Sequence, residues 1–172
     1  YLCAVMIPAK KIRPEVPLAE QLDLLLPQNK LKAFSLASAG IIVLYPLLSI
    51  LTFLNRKVLT MLHINANTQE LVNFVGYAEN PSAIVIVFTA VILAPIGEEL
   101  VFRHVLYKKF ELISSPVAAA CISALLFAAS HFNALNFPSL FLFALYLQFV
   151  YVKSRSLSCA IFAHGLYNLI TI

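Results

Sequence analysis

The chain has 172 residues, 61% of them hydrophobic and only 12% charged, with a net charge of +4 and a mean hydropathy of +0.88. Soluble domains carry about 25% charged residues, so this composition excludes a disordered tail and an ordinary soluble domain. The apolar residues come in helix-length blocks that predict an all-α, polytopic transmembrane helix bundle, in which the basic surplus sets orientation against membrane lipid and no nucleic-acid partner is expected.

Residues 1–7 are an apolar run too short to span, and they read as the tail of a helix that begins earlier. The basic residues follow this run, the reverse of a secretory leader. Residues 9–32 are polar and punctuated by Pro14, Pro17 and Pro27, with a short amphipathic stretch at 18–26 suited to the membrane surface. Residues 33–54 give the first complete span, uncharged throughout and long enough for the roughly 20 residues a crossing needs, with a kink expected at Pro46. Residues 55–80 read as a polar loop ending in the helix-start pair Asn80-Pro81. Residues 1–80 therefore form an N-terminal membrane region ahead of a second helical unit at 81–172.

That unit opens with an apolar run from Pro81 to Ala94. Pro95-Ile96-Gly97 is expected to interrupt it before the helical pattern resumes through 98–110. Ser115-Pro116 opens a third helix reaching His131, residues 135–152 make a fourth and residues 157–172 a fifth. Assigning loops to alternate sides puts Lys10, Lys11, Arg13, Lys30, Lys32, Lys108, Lys109, Lys153 and Arg155 on one face and Arg56 and Lys57 on the other. The nine-residue face is expected to be cytoplasmic. Cys3, Cys121 and Cys159 lie in apolar segments without metal-binding spacing and read as small buried hydrophobes.

An ionisable group near the bilayer centre costs at least about 2.5–3.5 kcal/mol, so each is a functional candidate. Glu99 and Arg103 are four residues apart with the acid first, the favourable order for a pair on one helix face. Glu98 points about 100° away from Glu99 and has no partner in its own helix, which suits a general base; helix capping is the structural alternative. His131 can pack on Phe127, four residues earlier. His164 and Asn168 share a face at the same spacing and are placed to donate to a developing oxyanion. Counting along the helices puts Glu98 nearer the basic face than His131.

Glu98-Glu99-Leu100-Val101-Phe102-Arg103 matches Glu-Glu-x-x-x-Arg, Phe127-Ala128-Ala129-Ser130-His131 matches Phe-x-x-x-His, and His164-Gly165-Leu166-Tyr167-Asn168 matches His-x-x-x-Asn. Three such motifs in this order on successive apolar helices resemble the CPBP family of intramembrane proteases, named for CAAX proteases and bacteriocin-processing enzymes and also called Abi. The resemblance covers residues 81–172 and implies a CPBP-like catalytic bundle there. It implies a glutamic endopeptidase in which Glu98 and His131 activate water, His164 and Asn168 stabilise the oxyanion, and Glu99 and Arg103 support the site. The substrate would be a peptide or membrane-associated protein cut near the cytoplasmic side, and the short loops suit a bacterial cytoplasmic membrane. The chain departs from the family in having His104 after the motif arginine, where glycine is common, and Ala144 and Gln148 in the penultimate helix.

Two alternatives carry different chemistry. One is a non-proteolytic membrane protein, an immunity scaffold or a small transporter using Glu98 and His131 as a proton relay, although a transporter would show paired broken helices. The other is a zinc peptidase. No His-Glu-x-x-His is present, and no carboxylate is evidently placed to orient His131 or His164 as metal ligands are usually oriented, so no metal or other cofactor is expected.

Overall fold

The computed structural model describes residues 26–27, 29–64 and 80–172, with residues 80–82 described by their backbone alone. The expectations for residues 1–25 and 65–79 lie outside this range. Within it the protein is an all-helical bundle. Helix α1 (Lys30–Met61) starts at Asn29, whose side chain accepts from the Lys32 N–H at 3.0 Å. It runs on through Pro46 and seven residues past the expected end at Leu54, because residues 55–61 contain no helix breaker.

The second rod, α2 (80–111), differs most from expectation. It is helical throughout, as α-helical Asn80–Phe88, π-helical Thr89–Leu93, α-helical Ala94–Glu99, π-helical Leu100–Tyr107 and α-helical Lys108–Glu111. Pro95 and Gly97 therefore do not interrupt it. A wider π turn ends at Leu93, with the Ala94 N–H reaching back to Thr89 O, and Pro95 follows where the hydrogen-bond register changes. A missing N–H costs least at such a change, and local π adjustments of this kind accommodate proline in membrane helices.

Helix α3 (Pro116–Ser130) is capped by Ser115, which accepts from the Ala118 N–H. Helix α4 (Phe137–Ser154) ends at Arg155 in a left-handed conformation, and α5 (Leu157–Thr171) follows after a short turn whose Ser156 is buried. By length and composition three helices could cross a membrane, Lys30–Met61, Ala83–Glu111 and Phe137–Ser154, while the two 15-residue helices α3 and α5 are shorter apolar elements. At 1.5 Å per residue each of these covers about 22 Å, short of the ~30 Å hydrocarbon core.

Helix α4 is the centre of the bundle, packed against α1, α3 and α5. Gly40 brings α1 close to it: a side chain at Gly40 would collide with the ring of Tyr146, whose hydroxyl donates to Ala37 O one turn earlier. Asn55 donates to Ala134 O and Leu135 O, both at 2.8 Å, and so ties the far end of α1 to the turn between α3 and α4. The core cluster around Ile41, Phe127, Phe143 and Leu147 fills the space between these helices. Helix α1 is thus packed into the same bundle as the helices after residue 80.

Candidate active site

Glu98 and Glu99 close the α-helical stretch Ala94–Glu99, and their adjacent positions send them to different surroundings. Glu99 points inward and is completely buried. Its Oε2 pairs with Arg103 Nε at 3.1 Å, and its Oε1 lies 2.9 Å from His164 Nδ1. Arg103, itself 1% exposed, donates from Nη2 to Ala144 O at 3.1 Å and lays its guanidinium 5.0 Å from the Phe127 ring centre. The small side chain of Ala144 leaves its carbonyl open to the arginine. Gln148 is buried one turn further along α4, and neither of its amide atoms has a partner.

Glu98 turns the other way, into a cavity of about 590 Å³ that Phe127, His131, Phe143, His164 and Asn168 also line. This size falls within the range of ligand pockets. Glu98 Oε2 lies 4.0 Å from His131 Nε2 and 3.8 Å from His164 Nε2. The Phe127 ring sits behind both imidazoles, with centroids 4.7 Å from His131 and 5.7 Å from His164, and Phe143 flanks His164 from the other side at 5.4 Å.

The tautomers follow from the partners. His131 Nδ1 is 2.8 Å from Phe127 O, and a carbonyl only accepts, so Nδ1 carries the hydrogen and Nε2 is left facing Glu98. His164 Nδ1 is held by Glu99 in the same way. A carboxylate therefore does orient one histidine, contrary to the sequence reading, and it comes from the residue next to Glu98. The sequence pattern showed only the Glu99–Arg103 half of this arrangement.

Asn168 has a partner that spacing along α5 did not reveal. Its Nδ2 donates to Ala90 O at 2.8 Å. In the π register that begins at Thr89 the donor for Ala90 O would be residue 95, and that residue is proline. Asn168 thus supplies the hydrogen bond that Pro95 lacks, and the contact fixes the plane of an amide whose second N–H remains available. Gly165 makes room for this approach, since a Cβ there would lie 2.5 Å from Val91 O.

Glu98, His131, His164 and Asn168 thus share one cavity, with Glu99 and Arg103 directly behind it. The expected difference in depth between Glu98 and His131 is absent. The two side chains meet across the cavity, with Glu98 Oε2 and His131 Nε2 4.0 Å apart. His104 lies apart, with Nδ1 3.4 Å from Lys108 Nζ. Thr52, Asn136 and Ser139 also line the cavity; sequence reasoning missed them because an isolated hydroxyl or amide carries no distinguishing local pattern.

With this geometry in place, comparison with known proteins adds one finding: residues 80–170 match the family described as type II CAAX prenyl endopeptidase Rce1-like. The chain belongs to this family. Neither the curated proteins nor the solved structures compared with it include a match. At the level of the family the Rce1-like chain is a CAAX-type intramembrane endopeptidase, which favours peptide hydrolysis over the transporter alternative.

The two partners of Glu99 separate stability from activity. Glu99→Gln leaves Arg103 buried without its counter-charge, a loss expected to cost about 3–5 kcal/mol and to lower the thermal midpoint in detergent. Adding Arg103→Gln should recover part of that stability but none of the lost peptidase activity, because His164 stays without its carboxylate. Equal recovery of both would show that the histidine contact has no role of its own.

Proposed function

We propose that this Rce1-like chain is a metal-independent glutamic endopeptidase that hydrolyses a peptide bond of a peptide or membrane-associated protein substrate within the membrane. The observation that carries this reading is the convergence of His131 Nε2 and His164 Nε2 on Glu98 Oε2 in the cavity wall. Glu98 and His131 take a proton from a water, whose oxygen attacks the substrate carbonyl carbon. Asn168 donates its second N–H to the resulting oxyanion, beside the Nε2 edge of His164 that faces Glu98. The proton held at Glu98 then passes to the departing amine nitrogen as the carbon–nitrogen bond breaks.

Glu98, His131 and His164 are also the groups that a metal would use. Among the described residues no group of three or more His, Cys, Asp or Glu gathers closely enough to hold a metal ion. Cleavage of a quenched peptide library by purified protein tests both points. Glu98→Gln should fold and insert normally yet lose at least about 10²-fold in turnover, and a membrane-permeant chelator should leave the wild type active. Near wild-type turnover in Glu98→Gln, or chelator inhibition reversed by zinc, would overturn the proposal.

The nine-to-two division of basic residues supports a cytoplasmic position for the end that carries Lys30, Lys108 and Lys153. The cavity lining extends from Glu98 to Asn136 and Ile172 at the opposite end. In a background lacking Cys3, Cys121 and Cys159, single cysteines at Lys108 and Lys153 should react with an impermeant reagent only from the cytoplasm, and one at Asn133 only from outside. The reverse pattern would overturn this orientation.

A further inference from the structure

Three polar side chains line the cavity at the end away from Glu99. Thr52 Oγ1 of α1 lies 2.9 Å from Ser139 Oγ and 3.4 Å from Asn136 Oδ1, and Ser139 Oγ donates to Asn136 O at 2.9 Å. Ser139 is buried, and Thr52 and Asn136 are half-buried. The single hydroxyl hydrogen of Ser139 is spent on Asn136 O, and that of Thr52 on Ser139 or on Asn136 Oδ1. What remains is an amide with two unused hydrogens and a threonine oxygen with unused lone pairs. Joining helices does not require them, because Asn55 already ties α1 to the same turn.

Their distance from the reacting groups suits an extended peptide. Phe143 packs against His164; Ser139 lies four residues before it on α4 and Asn136 seven, or about 6 and 10 Å. An extended chain advances about 3.3 Å per residue, so the shelf meets a substrate two or three residues from the bond at Glu98.

We propose that Thr52, Asn136 and Ser139 form a subsite for the substrate's backbone. Asn136 Nδ2 donates to a peptide carbonyl and Thr52 Oγ1 accepts a peptide N–H, while Ser139 fixes the direction of the threonine hydroxyl. Such a subsite reads an extended strand through its main chain and is indifferent to charge and side chain at that position. The inference rests on the peptidase reading above.

The test uses the full chain in detergent, a cleavable peptide, and a series of the same peptide with one backbone N–H at a time replaced by an ester oxygen. Thr52→Val should raise KM by about threefold to tenfold, the range of one net hydrogen bond, with kcat within about threefold and with Thr52→Ser restoring wild-type KM. One ester, two or three residues from the cleaved bond, should raise the wild-type KM by a similar factor and cost the Thr52→Val variant nothing more. Ester and variant losses that add at every position, or a fall in kcat with KM unchanged, would overturn the subsite. Binding of the same peptides to Glu98→Gln, read by fluorescence anisotropy, separates the two readings. Binding weakened by Thr52→Val while the wild type cleaves no peptide would keep the subsite and sink the peptidase, and binding insensitive to Thr52→Val would sink the subsite.

Discussion

The buried carboxylate of Glu99 is the constraint on which the site depends. A charge enclosed by apolar helices is tolerable only when it is paired, and Glu99 is paired twice, with Arg103 on its own helix and with His164 on α5. Both contacts come at once only if α2 takes a single rotation about its axis. That rotation aims the preceding residue, Glu98, into the cavity. The position of the solvent-reachable acid is therefore set by the acid that solvent never meets.

Backbone hydrogen bonding sets the same rod along its length. Because Pro95 supplies no N–H, Ala90 O is left without a ladder donor, and in a membrane such a group needs a partner from within the protein. Asn168 from α5 serves it, and Phe102 O, in the second π segment, also accepts from the Ser123 hydroxyl of α3 at 2.7 Å. These two bonds pin α2 on either side of Glu98 and Glu99 to the helices that carry His164 and His131. Pro95 belongs to this scheme, because its missing N–H leaves Ala90 O open to Asn168.

Much of this was legible in the sequence because the relevant patterns are local. Five helical segments follow from uncharged runs and proline starts, the Glu99–Arg103 pair from a four-residue spacing, and the shared face of His164 and Asn168 from the same rule. What the sequence could not show is contact between helices. The bond from Glu99 to His164 joins residues 65 positions apart, and nothing in either segment announces it. Pro95 was misread for a related reason: its effect on helix continuity depends on whether the preceding turn can widen and whether another helix can serve the freed carbonyl. Thr52, Asn136 and Ser139 become visible only when the cavity itself is seen.

The short helix α3 helps explain why a polar cavity exists inside so apolar a chain. At about 22 Å it is shorter than the ~30 Å hydrocarbon core, so its end at Ser130, with unsatisfied backbone groups, falls within the depth of the longer helices. His131 is the C-cap of α3. Phe132 follows with a left-handed φ of 49°, and the turn closes with Asn133 Oδ1 accepting from the Asn136 N–H at 3.0 Å. The two ends of this turn, His131 and Asn136, border the cavity, the setting in which non-helical backbone at membrane depth is tolerated. A helix one turn longer at α3 would carry His131 away from its end and fill the space in front of Glu98 with side chains, so the truncation of this helix and the opening beside the acid are one structural feature.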